Sequence, residues 1–144
     1  MIDLSANIRT AIVSDIDITA PIANYQDSKA IFTRRPVPSD AAYPMIIISP
    51  LVSETNLDGL RCKRAILTYD ISVYDTNASS VNYRNVEAVG YKLANKFHRM
   101  DRFAMSLPSG VSLIKSTARG PFAAPTDDLV KVARVVSVEF EVSY

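Results

Sequence analysis

The stretch AAYPMIIISPLVSE (Ala41 to Glu54) constrains the fold more than any other part of the chain. Four consecutive apolar residues, Met45 to Ile48, stand between Pro44 and Pro50. A continuous apolar run of this length, bounded by prolines, reads as a strand buried on both faces. Such a strand belongs in the middle of a sheet. Pro44 suits a strand's first residue, whereas Pro50 lacks the amide a ladder needs, so pairing is expected to break there at a bulge or an edge.

The remaining segments supply the rest of that sheet and its cover. DLSANIRTAIVSD places Leu4, Ile8, Ala11 and Ile12 at helical spacing, with Asp3 or Ser5 available as a cap, and predicts a helix over 4–14. DITAPIANYQDS loses that period at Pro21 and reads as a connection with room for one helical turn. KAIFTR (Lys29 to Arg34) is a short strand near an edge, because Pro36 and Pro38 follow it. ETNLDGLRCK carries Asp58-Gly59, a turn signal able to supply the positive φ angles of a hairpin. RAILTYDISVYD then alternates, with Leu67, Tyr69, Ile71 and Val73 on one face and Thr68, Asp70 and Ser72 on the other.

The period changes in SSVNYRNVEAVGYKLANKFHRMDR, where Val86, Val89, Leu93, Phe97 and Met100 recur at three and four. This is the long helix, with Ser79 or Ser80 as its cap. Gly90 inside it marks either a close approach to the sheet or tolerated slack. Two more strands follow, in VSLIKSTAR and in LVKVARVVSVEFEVSY. In the second, Val136, Val138, Phe140 and Val142 share a face. The order predicts an α+β domain: a mainly antiparallel sheet of four to five strands, with an N-terminal helix and a longer second helix packed on one face. Val86, Leu93 and Phe97 are expected to meet Leu67, Ile71, Val138 and Phe140.

Length and composition narrow the function. With 144 residues, 48% hydrophobic and 22% charged, the chain suits a single domain spanning 1–144 rather than a disordered or collagenous one. No apolar run approaches the ~20 residues of a membrane span, and Met1-Ile2-Asp3 lacks the opening of a secretory signal, which predicts a cytosolic protein without a membrane partner. The single cysteine, Cys62, excludes an internal disulfide. A formal charge of +1 gives no global pull toward nucleic acid or membrane, so any contact with a polyanion must be local.

No catalytic constellation emerges. His98 is the only histidine and has no metal-ligand spacing around it, so it reads as a solvated or boundary residue. The four glycines are scattered and build neither a phosphate loop nor a dinucleotide fingerprint. Asp127-Asp128 reads as a solubilising loop pair, and Glu139 and Glu141 as the polar face of a strand. Ser109-Gly110 lacks the second glycine of a nucleophile elbow. The sequence implies no enzyme, no cofactor and no metal. Cations do cluster, at Arg34-Arg35, at Arg61, Lys63 and Arg64 beside the Asp58 turn, and at Lys92, Lys96, Arg99 and Arg102. Without interleaved aromatic residues they suggest solvated faces or a salt-sensitive contact rather than base stacking.

Four stretches in this order, AAYPMIIISP, LTYDISVYD, VEAVGYKLANKF and VVSVEFEVSY, give the chain a resemblance to a family. It resembles the tail-completion or tail-terminator proteins of long-tailed bacteriophages, siphophage-type and related prophages. The resemblance implies a homo-oligomeric, hexameric ring that sits on the last ring of the tail tube protein, stops tail polymerisation and offers a surface to a head-tail connector or neck protein. DNA would pass through the lumen without sequence-specific binding. It implies a place in the virion, at the head-proximal end of the tail, after assembly in the host cytoplasm. The family has no catalytic residues to carry over. Loop placement, rather than family pattern, makes the Arg34 to Asp40 loop and the Asp58 to Lys63 turn the expected partner-facing segments. The candidate interface is therefore Arg34, Arg35, Asp58, Arg61, Lys63, Arg64, Lys92 and Lys96. Two alternatives stay open: another head-completion or neck component, and a small ligand-binding or enzymatic α+β domain with Asp127, Asp128 or His98 in a pocket.

Overall fold

A computed structural model describes residues 2–33, 37–59, 61–76, 80–123 and 132–144, without the side chains of residues 80 and 81. Arg34, Arg35, Asp127, Asp128 and the Ser79 cap position lie outside the described residues. The chain opens with helix α1 (Ser5–Val13) and a single turn, α2 (Ile16–Thr19). A ribbon of β1 (Asn24–Tyr25) and β2 (Ser28–Lys29) follows, then β3 (Ile31–Phe32), β4 (Met45–Ile48), β5 (Ser53–Asn56) and β6 (Arg64–Asp75). The long helix α3 (Ser80–Phe97) precedes β7 (Ser112–Ala123) and β8 (Val132–Ser143). The class is α+β. The main sheet is six-stranded, in the order β3-β4-β6-β8-β7 with β5 paired to β6, against the four to five strands expected. All its pairs are antiparallel except β3–β4.

The apolar run behind Tyr43-Pro44 is an interior strand, and all four residues of β4 are buried. Ile46 and Ile48 lie in register with Val73 and Ile71 of β6, and Met45 and Ile47 look out on the other face beside Tyr74 and Ser72. The break at Pro50 is a bulge. β4 ends opposite Ile71 and β5 begins opposite Thr68, so four residues, 49–52, stand against two, 69–70. Both strands thus lie end to end along one flank of β6.

The alternation of β6 and β8 sorts the two faces. Leu67, Tyr69 and Ile71 are fully buried with Val136, Val138 and Phe140, under the helices. Their neighbours Thr68, Asp70, Ser137 and Glu139 are half-buried on the uncovered face. Phe97 of α3 meets Phe140 edge-on with centroids 6.0 Å apart, and Val86 and Leu93 are buried on the same helix. Each such side chain stabilises the fold by about 1.5–3 kcal/mol.

Gly90 is a close approach: a Cβ there would stand 2.7 Å from Cβ of Pro121 in β7. Any side chain there would force α3 or the β7–β8 hairpin to shift. Gly120 sits in a bulge of β7 with φ 113°, and a Cβ would stand 2.8 Å from the Val135 carbonyl oxygen. α3 stops at Phe97, short of Met100, because Arg99 turns left-handed at φ 51° and its amide leaves the helix for the Ser116 carbonyl at 3.0 Å.

Several expectations need correction. Leu4, not Asp3 or Ser5, holds the cap position of α1, although the Asp3 carboxylate accepts the Ser5 amide at 2.9 Å. The Leu4 amide is buried and donates to the Tyr69 hydroxyl at 2.8 Å, which ties the start of the chain to the central strand. The strand predicted over 29–34 is split between β2 and β3, with β3 at the sheet edge as expected. Gly59 has no positive φ, because the β5–β6 connection is a longer loop rather than a two-residue turn. β7 runs four residues beyond the predicted Arg119, past its bulge. Among the described residues no helix is long and apolar enough to cross a membrane.

Candidate assembly interface

The cations beside Asp58 gather at one end of the sheet, where β6 starts and β8 ends. Leu57 donates its amide to the Arg64 carbonyl at 2.8 Å and Gly59 to that of Cys62 at 2.9 Å, which folds the loop back on itself. The Asp58 carboxylate accepts the Arg64 amide at 3.0 Å, so this acid organises the loop from within. The Arg64 guanidinium pairs with Glu141 of β8 across the uncovered face. Arg61 and Lys63 point to solvent. Tyr144 closes the same end by donating its amide to the Lys63 carbonyl at 3.0 Å. Partial desolvation, and then the carboxylates of Asp58 and Glu54, push the Tyr144 phenol above its ordinary value, so it remains a neutral hydrogen-bond donor. Arg61, Cys62, Lys63 and Tyr144 rim a shallow recess of about 770 Å³.

Beside this loop lies a feature the sequence reading missed. The only signal in ETNLDGLRCK is the Asp58-Gly59 turn, yet Ser53–Asn56 is a strand. Its residues are all exposed and polar, so it carries no hydrophobic signal. The Leu57–Arg64 bond fixes the alternation: Thr55 and Ser53 bond β6, and Glu54 and Asn56 direct their amides and carbonyls away from it. Among the described residues nothing pairs with that edge. Val52 and Leu57, which flank it, are 54% and 41% exposed.

The other predicted interface residues go elsewhere. Lys92 donates to the Asp17 carbonyl at 3.0 Å, and Lys96 pairs with Asp15 at 3.2 Å. Both fasten α2 to α3, a role only the three-dimensional packing discloses. Asp58, Arg61, Lys63 and Arg64 are therefore brought together, and Lys92 and Lys96 form a separate internal clasp. His98 is exposed, and its Nδ1 accepts the Ala118 amide at 3.2 Å. Among the described residues no cluster of three or more His, Cys, Asp or Glu side chains could hold a metal ion. What this end offers is an open strand edge, exposed cations and apolar flanks, a set suited to protein contact.

No family model matches the sequence, and no curated protein matches it. Among solved structures, the fold is shared with a chain of the virion of a native gene transfer agent particle. The two superpose with a TM-score of 0.78 at 14% identity, over 99% of this chain and 96% of that one. At that identity the likeness shows the fold, and it extends from one end of the chain to the other.

Proposed function

We propose that this protein is a virion structural component that closes into a hexameric ring on the end of a phage-type tail tube, stops its growth and presents a joining surface to a head-tail connector or neck protein. The observation that carries this is the near-complete fold likeness to a chain of a virion particle. The motif resemblance to tail terminators supports the finer assignment, and so does the character of the β5 end. That end has a free strand edge and a charged, internally braced loop, features that serve assembly rather than bond-breaking. The Asp58 to Lys63 loop meets the tube or the connector, Arg61 and Lys63 supply a salt-sensitive share of the contact, and DNA passes through the lumen without base readout.

The test is light-scattering mass across a concentration series, alone and with purified tail tubes, followed by negative-stain imaging. A ring gives one discrete mass, about six times 15.8 kDa, and caps one end of the tubes. A ring that ignores tubes and binds a connector would move the assignment to the neck. A chain that stays at 15.8 kDa in both settings and leaves tube ends free would sink it.

A further inference from the structure

Phe103 is the most exposed large apolar side chain among the described residues, at 79%. It is not on a loose loop. Its amide donates to the Asp101 carboxylate at 2.9 Å, the next amide donates to the Asp101 carbonyl at 2.9 Å, and Met105 just beyond is buried. Asn7 of α1 holds the Ser106 carbonyl at 2.8 Å. The Arg102 guanidinium lies 4.7 Å from the centre of the Phe103 ring. An aromatic ring with a stacked arginine, held out into water by a braced turn, is the composition of an interface anchor. This knob adjoins Ser112 and Leu113, at the start of edge strand β7.

At the opposite edge of the sheet, β3 opens into a cleft of about 550 Å³. Ile31 and Phe32 line it, with the Tyr25 ring edge-on to Phe32 at 5.3 Å. Among the described residues two cations line it, each turned to a backbone carbonyl: Arg9 donates to the Ile31 carbonyl at 2.9 Å and Lys29 to the Ile22 carbonyl at 3.1 Å. Two carboxylates remain at the mouth. Asp27 is exposed in the β1–β2 turn, and Asp40 accepts the Tyr25 hydroxyl at 3.3 Å. The cleft thus offers an aromatic wall with the Asp27 carboxylate on its lining and the Asp40 carboxylate beside the Tyr25 hydroxyl, local partners for a phenyl ring and a guanidinium.

We infer that the Arg102–Phe103 knob of one copy of this chain seats in the Tyr25–Phe32 cleft of the next, with the ring on the aromatic wall and the guanidinium on Asp27 and Asp40. The knob adjoins β7 and the cleft adjoins β3, so they stand at different edges of one sheet. The contact is therefore head-to-tail, and successive copies close a ring where the rotation between them permits. This rests on the ring proposed above and assigns the surfaces that would join its subunits.

The experiment measures light-scattering mass against concentration for the full chain, with thermal unfolding as a check that each variant folds. Phe103→Asp and Asp27→Arg change exposed side chains, so both should unfold as the parent does. Each is expected to raise the concentration for half-assembly at least tenfold. Asp27→Arg combined with Arg102→Glu should recover much of that loss. Mixing Phe103→Asp with a cleft-filled Ser28→Trp chain should give a two-copy species and no ring, since only one intact knob and one intact cleft remain. If the parent assembles and Phe103→Asp assembles equally well, these surfaces are overturned and the ring stands. If the parent never assembles, with tubes or without, the ring and its proposed joint fall together.

Discussion

The main sheet treats its outer edges in opposite ways. β7 is twelve residues long, and left bare it would offer a template to any passing strand. Its middle is covered instead: the Arg99 amide takes the Ser116 carbonyl, His98 Nδ1 takes the Ala118 amide, and register shifts interrupt the strand on both sides. Pro121 lies against Gly90 in the second of these irregular stretches. β5 is only four residues long, yet the outward groups of Glu54 and Asn56 are open. The edge that could aggregate is blunted by the end of the long helix, and the short polar edge stays accessible beside exposed cations. Pairing by an outside strand is thus left open, of these two edges, at the one too short and too polar to recruit the wrong partner.

The helix end that protects β7 depends on the seating of α3, and Phe97→Ala tests this most severely. The ring is fully buried against Phe140, so its loss should cost about 3–5 kcal/mol in urea denaturation. A loss under about 1 kcal/mol would mean that the helix is held by something other than this packing. Gly90→Val should follow, at about 1–3 kcal/mol, because its first added carbon already overlaps Pro121. A neutral result there would show that the hairpin base yields freely.

A pair of prolines sharpens the contrast at β5. Thr55→Pro removes an amide that bonds Ile66 and should cost about 1–2 kcal/mol, whereas Asn56→Pro removes one that faces solvent and should stay within about 0.5 kcal/mol. Equal losses in thermal unfolding would overturn the assignment of outward groups. His98→Ala should cost less than Thr55→Pro, about 0.5–1 kcal/mol, but it uncovers the Ala118 amide. That variant should form species larger than the parent's own assembly in sedimentation, and a distribution identical to the parent's would mean that Arg99 alone suffices to close the edge.

How far the sequence speaks follows from which residues carry period. β4, β6 and β8 are legible because burial on one or both faces writes a pattern into Met45 to Ile48, Leu67 to Val73 and Val136 to Val142. α3 is legible for the same reason at a different spacing. β5 is not: Ser53, Glu54, Thr55 and Asn56 touch no core, so their extended form is imposed by pairing with β6 alone. Of the candidate interface, the Asp58 to Arg64 group could be placed together because it is contiguous in the chain. Lys92 and Lys96 could not, since the Asp15 and Asp17 groups that claim them lie more than seventy residues away. Phe103 gave no signal, because exposure of a loop aromatic depends on how its turn is braced.

The step at Ser49 to Val52 gives the sheet an anchored joint. Ser49 stays fastened on one side of it, through its amide to the Asp70 carbonyl and its hydroxyl to the Asp70 amide, and Val52 on the other, through Thr68. The two surplus residues between them, Pro50 and Leu51, take no part in the ladder, and Leu51 packs against the core instead. A tug on β5 from outside therefore meets the Val52 bond and the Leu51 anchor before it reaches the register of the buried β4 strand.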